Sequence, residues 1–258
     1  FKSISISSNF SRRRAAFSAR RTKKGTIVGF NERNSENIIS VGGCVVLHPL
    51  ILKFIVGLEK ITAVVCSRSG RVKFFVSTSQ NGLDVVVEGG KKINLNDVSK
   101  LTSIARDYNL ARLSWDGELI ALLSSPDQKI SGIKVLPPDK FFMQTSKEAE
   151  EVMVRDVLEA LDNAKNVADL FSGLGTFTLP IARSMKVISF ESSPEMLKSL
   201  DIAYKNSSGL KPIKTIVRNL YKNPVKAKEL HTLDAVIINP PRAGAEAQVK
   251  ELVKSNYF

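Results

Sequence analysis

Hydrophobic residues in the second half of the chain alternate between helical and extended spacing. Four apolar positions recur at i, i+3, i+4 and i+7 and predict an amphipathic helix; they are Val154, Val157, Leu158 and Leu161. Short apolar runs then predict four strands, at Val167–Phe171, Lys186–Phe190, Ile213–Val217 and Leu233–Ile238. Strands of this length between helices are typical of a parallel sheet that helices cover on both faces.

Capping signals indicate where the helices of this half begin. Thr145 and Glu148 have the spacing of a capping box. Ser193-Pro194 predicts an N-cap and first turn for a helix that continues to about Lys205. A further helix is expected over Leu179–Ser184.

The first half shows a different pattern, with short β-type runs separated by Gly, Asn and Ser. The runs are Thr26–Phe30, Asn37–Val41, Val72–Val76, Leu83–Val87 and Leu119–Leu123, with helical stretches near Pro49–Glu59 and Asp97–Tyr108. The predicted boundary lies near Pro137-Pro138. We therefore expect an α/β protein with a smaller α+β domain at 1–138 and a Rossmann-like domain at 139–258, the latter holding the first four strands of a larger sheet.

Basic residues are concentrated in the first half. The net charge is +13, and residues 1–140 carry 22 Lys and Arg against 11 Asp and Glu. Such an excess favours a polyanionic partner such as nucleic acid over a merely solvated basic surface. Candidate phosphate contacts are Arg12, Arg13 and Arg14, and Phe10 and Phe17 are candidates for stacking on unpaired bases or for core packing.

Two cysteines, Cys44 and Cys66, give no disulfide framework and indicate a reducing compartment. No apolar run is long enough to span a bilayer. We expect a cytoplasmic monomer with no membrane partner.

Candidate chemistry begins at residues 169–182, where an acid closes a predicted strand before a glycine-rich turn. Thr178 stands where a nicotinamide fingerprint needs a third glycine. Asp169 suits a cationic sulfonium, and Glu191 ends the next strand, where a carboxylate can accept the ribose hydroxyls. We interpret the turn as a site for S-adenosylmethionine rather than an ordinary strand–helix turn. Its candidate cofactor-binding residues are Asp169, Phe171, Ser172, Gly173, Gly175 and Glu191.

A second motif, Asn239-Pro240-Pro241-Arg242, follows the fourth predicted strand. Consecutive prolines stiffen the exit from a strand. The motif is either a loop that ends the strand or, as we expect, the substrate-side wall of the same pocket. Asn239 is then a cofactor contact, and Pro240 and Arg242 face the substrate.

Together these segments resemble the class I S-adenosylmethionine-dependent RNA methyltransferases that make 5-methyluridine, with the ribosomal RNA branch the closer match. The resemblance is carried by Arg12-Arg13-Arg14 with Ser18, the Cys44 segment, Phe142-Met143-Gln144, residues 169–182, Phe190-Glu191 and residues 239–245. It implies that Gln144 lies near the cofactor and target base, that Glu191 is the acid of the second strand, and that Asn219 borders the adenine. It also implies RNA as the partner, ribosomal RNA before transfer RNA.

The chain departs from the family pattern at three places. Asn239 stands where the family usually has Asp. The family's nucleophilic cysteine and general base would lie beyond Phe258, so catalytic residues are unknown here and this chain is expected to be inactive by itself. Cys44 matches the last of four iron–sulfur ligands, so a [4Fe-4S] cluster is expected only in a full-length protein, since one cysteine cannot hold it.

Two other functions stay open. Asn239-Pro240-Pro241 also suits an enzyme that methylates exocyclic amines or glutamine amides, although such enzymes usually place an aromatic residue where Arg242 stands. The other is a non-catalytic RNA-binding module that keeps a vestigial cofactor pocket.

Overall fold

A computed structural model describes residues 4–67 and 70–255, which form two compact units. The first unit comprises residues up to 128 together with 144–149, and the second comprises 129–143 and 150 onward. The sequence predicts the boundary near Pro137-Pro138, within the segment 129–143. The chain therefore passes between the units three times rather than once.

The first unit contains a seven-stranded sheet in the order β3-β2-β1-β4-β5-β6-β7. Its strands are β1 Arg14–Thr22, β2 Gly25–Asn31, β3 Ile38–Ser40, β4 Arg71–Ser79, β5 Gly82–Gly89, β6 Leu110–Trp115 and β7 Glu118–Leu122. Its helices are α1 Pro49–Lys53, α2 Ile55–Val65 and α3 Leu95–Asp107. Neighbouring strands are antiparallel except β5 and β6, which run parallel because α3 carries the chain across between them.

Strand β1 lies inside this sheet, between β2 and β4, where the sequence predicts only a basic segment. Ala15, Phe17 and Ala19 point into the core, and the intervening residues point away from it. Phe17 is 1% exposed, so of the two alternatives left open for it, core packing and base stacking, the structure shows core packing. Phe10 is 42% exposed.

Helices α1 and α2 occupy the stretch predicted as one helix. The break falls at Phe54, whose ring is buried, and α2 then continues six residues beyond the predicted end at Glu59. Gly57 permits this arrangement, because a Cβ there would overlap the Phe54 ring. Close packing of an aromatic ring therefore fixes the shape of this helix pair.

The second unit contains a four-stranded parallel sheet in the order β12-β11-β10-β13. Its strands are β10 Asn166–Leu170, β11 Lys186–Glu191, β12 Ile213–Val217 and β13 Ala235–Ile238. Its helices are α4 Lys147–Ala160, which begins in the first unit, α5 Thr178–Ile181, α6 Pro194–Lys205, α7 Ala227–Leu230 and α8 Glu246–Lys254. A separate two-stranded sheet joins β8 Gln128–Ile130 to β9 Ile133–Val135. The four parallel strands confirm the predicted α/β class.

The helix starts agree with the sequence at one of the two predicted caps. Ser193 Oγ accepts a hydrogen bond from the Met196 backbone N–H at 3.2 Å, so the N-cap of α6 is confirmed. The capping box predicted from Thr145 and Glu148 is wrong. Ser146 Oγ accepts instead from the Ala149 N–H at 3.1 Å, and α4 begins one residue later. None of the described helices is long and apolar enough to cross a lipid bilayer.

Candidate functional site

The site lies where strands β10, β11 and β13 end at one edge of the four-stranded sheet. Because these strands are parallel neighbours, the residues that follow them are brought together. These residues include the glycine turn after β10, Glu191 at the end of β11 and Asn239 just after β13. The sequence predicts all three segments as parts of one pocket.

The glycine turn follows a backbone path that few side chains tolerate. Phe171, Gly173 and Gly175 have φ angles of 64°, 56° and 87°. A Cβ on Gly175 would lie 2.6 Å from Leu200 Cδ1, so glycine is needed there both for its conformation and for its packing against α6. The Ser172 N–H donates to the Phe190 carbonyl at 3.1 Å and ties the turn to β11. A non-glycine residue at positive φ, as at Phe171, is the kind of local strain found at binding sites.

Glu191 holds the turn from the adjacent strand. Its Oε2 accepts from the Gly173 N–H at 3.0 Å, and its Oε1 accepts from the Ser192 and Ser193 N–H groups at 2.6 and 3.0 Å. A carboxylate offers about four acceptor positions, so Oε2 keeps capacity for a hydroxyl donor from a ligand. The predicted acid and the predicted glycine are thus in direct contact.

Asp169 lies beneath the turn, fully buried, with its carboxylate turned inward. The Thr178 hydroxyl donates to its Oδ2 at 2.6 Å, while Oδ1 has no hydrogen-bond partner among the described residues. Burial raises the pKa of Asp169 to about 7, against the opposing effect of the Thr178 bond. Asp169 therefore supports the turn from inside the protein. The sequence predicts instead that Asp169 faces the ligand.

A chain of buried hydroxyl groups continues this bracing. Ser189 Oγ lies 2.6 Å from Ser172 Oγ and 3.4 Å from Thr178 Oγ1. All three side chains are buried, so the bonds among them act at low dielectric and hold the turn on β11. Sequence reasoning missed Ser189 because it sits inside an apolar strand.

Two aromatic rings and Asn219 lie at the open side of the site. The Phe171 and Tyr221 ring centroids are 5.6 Å apart, and Tyr221 is 45% exposed. Asn219 is exposed, and its Oδ1 accepts from the Tyr221 N–H at 3.0 Å. The Arg218 N–H donates to the Glu191 carbonyl at 2.8 Å and brings this loop beside β11. The sequence analysis did not predict Tyr221 as a site residue. The available signal for it is its position two residues after Asn219, which is predicted to border the adenine.

The loop after β12 is held by an ion pair. Arg218 contacts both Glu229 carboxylate oxygens, at 2.8 and 2.9 Å. This contact lowers the pKa of Glu229 to about 2. The loop that carries Asn219 and Tyr221 is therefore anchored at neutral pH.

The proline motif closes the same edge. The Asn239 N–H donates to the Leu170 carbonyl at 3.4 Å, directly before the glycine turn. The Gly244 N–H donates to the Pro241 carbonyl at 2.9 Å, which forms a tight turn with Gly244 at φ 81°. Asn239 and Arg242 are exposed, and Pro240 is half-buried.

The remaining predicted residues belong to the first unit. Gln144 is half-buried, and its carbonyl accepts from Arg13 Nε at 3.0 Å. Arg12 Nε donates to the Arg14 carbonyl at 3.1 Å. The Nε of Arg13 therefore stabilises the first unit itself.

Both cysteines also belong to the first unit, and both are free. Burial raises the pKa of the Cys66 thiol, which makes it a poor nucleophile. Cys44 is half-buried, and the described residues contain no group of three side chains able to hold a metal.

Comparisons with known proteins come from sequence and from structure. No protein-family model matches the chain. A protein of Rhizobium meliloti (strain 1021) named "Uncharacterized RNA methyltransferase" is 39% identical over 95% of this chain and 59% of its own length. The protein named "23S rRNA (uracil(1939)-C(5))-methyltransferase RlmD" of Shewanella woodyi is 30% identical over 94% of this chain and 56% of its own length. The chain thus spans less than two thirds of the curated relatives it matches.

A solved structure shares the fold over almost the whole chain. The Pyrococcus abyssi tRNA (uracil-54, C5)-methyltransferase, crystallised with S-adenosyl-L-homocysteine, superposes with a TM-score of 0.70 at 21% identity. The match covers 96% of this chain and 64% of that structure. The M. jannaschii tRNA m1G37 methyltransferase has a TM-score of 0.50 at 15% identity, over 79% of this chain.

Proposed function

We propose that the chain is an RNA methyltransferase, because it is 39% and 30% identical to relatives that carry that name, and that its second unit binds S-adenosylmethionine for methylation of carbon 5 of a uridine. The single observation that carries this proposal is the contact between Glu191 and the glycine turn. It joins two adjacent parallel strand ends, which is where doubly wound sheets bind adenosine-type ligands.

The residues at this edge fit the methyl donor. Glu191 Oε2 would accept a ribose hydroxyl, and Phe171, Tyr221 and Asn219 would border the adenine. The turn backbone would lie against the amino-acid part of the cofactor. When bound, S-adenosylmethionine supplies an electrophilic methyl group on a positively charged sulfur.

This proposal assigns donor binding, and not nucleophilic attack, to residues of this chain. Methylation at carbon 5 of uracil calls for a thiolate that adds at carbon 6 and a base that removes the carbon 5 proton. Neither described cysteine belongs to the second unit. Asn239 would orient the substrate side through its amide, because it lacks the carboxylate that a base requires.

We also propose ribosomal RNA as the substrate, since a relative at 30% identity carries a 23S rRNA methyltransferase name. The free thiols favour a cytoplasmic protein, and we propose that it acts as a monomer. Mass spectrometry of RNA methylated by the protein with its full coding sequence tests the acceptor. 5-Methyluridine in 23S RNA is expected, whereas a methylated exocyclic amine would contradict the proposal and favour the use of Asn239-Pro240-Pro241 for amine chemistry.

Glu191→Ala tests the donor site. We expect S-adenosylhomocysteine binding, measured by isothermal titration calorimetry, to weaken by roughly a hundredfold, because hydrogen bonds to a charged group contribute about 1.5–3 kcal/mol and the turn loses its clamp. Glu191→Gln should retain part of the affinity. Glu151→Gln, which removes an exposed acid of α4, is the matched control and should bind like the wild type. Unchanged binding by Glu191→Ala would show that the site is assigned wrongly.

A further inference from the structure

The first unit contains a cavity of about 220 Å³ that is separate in sequence from the glycine turn. One wall is the segment before β1, and the other is the start of α4. Seven of its nine lining residues are polar, among them Ser7, Ser8, Ser11, Arg12, Thr145 and Ser146. The cavity therefore offers hydrogen-bonding groups beside apolar surface.

The two walls are fixed to each other. Ser7 Oγ lies 2.7 Å from Ser146 Oγ, and the Arg13 N–H donates to the Thr145 carbonyl at 2.9 Å. The Arg12 N–H donates to the Val46 carbonyl at 2.9 Å and fixes the base of the cavity. Ser7, Ser8 and Thr145 are exposed, so the cavity opens to solvent.

Arg12 supplies positive charge to this cavity. Its Nε is used by the Arg14 carbonyl at 3.1 Å, which orients the guanidinium. Within residues 4–67 and 70–255, neither terminal nitrogen of Arg12 has a hydrogen-bond or ion-pair partner. Terminal guanidinium N–H groups that are oriented but unused suit an oxyanion.

The start of α4 adds a second source of positive potential. This helix has 14 residues, and its N-terminus contributes partial positive charge at the wall formed by Thr145 and Ser146, where Ser146 Oγ already accepts from the Ala149 N–H. The Glu148 carboxylate lies outside the lining, and the Ser8 hydroxyl donates to it at 2.6 Å. The charged group in the wall itself is Arg12.

We propose that this cavity binds one phosphodiester group of an RNA strand and so anchors the RNA through the first unit. The proposal rests on RNA being the partner, as in the proposed function. The Arg12 guanidinium and the hydroxyl groups of Ser11 and Thr145 can donate to the oxygens of a phosphate, whereas the Ser8 hydroxyl is used by Glu148. None of these groups reads a base, so the anchor acts on any sequence.

Binding of a fluorescently labelled oligouridylate to the 258-residue chain, measured across a salt series, tests the anchor. Arg12→Gln should weaken binding roughly tenfold and reduce the slope of log affinity against log salt by about 1. Lys92→Gln removes an exposed charge outside the cavity and should change affinity far less.

Ala149→Leu separates occupancy of the cavity from a general effect of charge. Ala149 lines the cavity, so the larger side chain fills space without altering the net charge. It should weaken RNA binding about as much as Arg12→Gln, and inorganic phosphate alone should compete only weakly. Wild-type RNA affinity in Ala149→Leu would overturn the proposal. So would unchanged RNA affinity in both variants together with tight binding of inorganic phosphate to them.

The same variants are titrated with S-adenosylhomocysteine. Unchanged donor binding with weakened RNA binding supports the anchor alone. Absence of S-adenosylhomocysteine binding in every variant contradicts the donor site. The RNA affinities of the variants can still be compared with one another in that case. Thermal midpoints confirm that each variant is folded.

Discussion

Asp169 is a carboxyl group placed where an ionised form is costly. It is fully buried below the glycine turn, with one oxygen bonded to Thr178 and the other unpaired among the described residues. Its pKa is raised to about 7 by burial. The protonation state of one residue therefore determines how firmly the turn is supported.

Asp169→Asn should make this visible in the pH dependence of stability. Between the unfolded pKa of 3.8 and the folded value of about 7, the folded state binds the extra proton, so wild-type stability falls as pH rises through this window. Asn keeps an acceptor for Thr178 and does not titrate. From pH 5 to pH 8 the wild type should lose roughly 2–3 kcal/mol relative to the variant, measured by urea unfolding. A stability difference that does not change with pH would contradict the assignment.

Among single residues, the sequence predicted those whose role follows from residue type and local spacing alone. Gly173, Gly175 and Glu191 belong to a local pattern, and the structure brings Gly173 and Glu191 into contact. The inward direction of Asp169 was not predictable, because both faces of a central parallel strand are buried and alternation gives no orientation. Ser189 was missed for the same reason.

Among the helices and strands, local spacing predicted where a strand lies in the sequence better than it predicted which strands pair in the sheet. β1 was not predicted, because its arginines are typical of a charged tail. Ala15, Phe17 and Ala19 nevertheless alternate with more polar residues, as a strand requires. β6 is buried at every position and so shows no period. The break between α1 and α2 depends on the Phe54 ring against Gly57, which is a packing fact with no local signal.

Gly57→Ala should show how tertiary packing overrides helix propensity. Alanine is favoured over glycine in a helix by about 1 kcal/mol, but overpacking a core typically costs about 1–3 kcal/mol. We expect a net loss of roughly 1–2 kcal/mol in urea unfolding, because the Phe54 ring is 2% exposed and cannot move away freely. In a Phe54→Leu background the same substitution should be neutral or stabilising. Equal destabilisation in both backgrounds would show that the ring is not the cause.

At the scale of the whole molecule, charge and chemistry are divided between the two units. The first unit has the larger excess of basic residues and the proposed phosphate anchor. The second has the strand ends and the glycine turn. Composition alone indicated this division, whereas the return of 144–149 to the first unit depends on long-range pairing such as Arg13 to Thr145 and could not be predicted.

The strand order of the second unit bears on the sequence of events during protein synthesis. β10 pairs with β11, about 20 residues later, but its other neighbour β13 begins only at Ala235. The clamp between Glu191 and Gly173 lies wholly within the earlier pair. We therefore expect a ribosome-bound chain released as far as α6 to protect the glycine turn from proteolysis before β13 has been translated. Cleavage in the turn that persists until Ile238 emerges would show that the last strand must dock first.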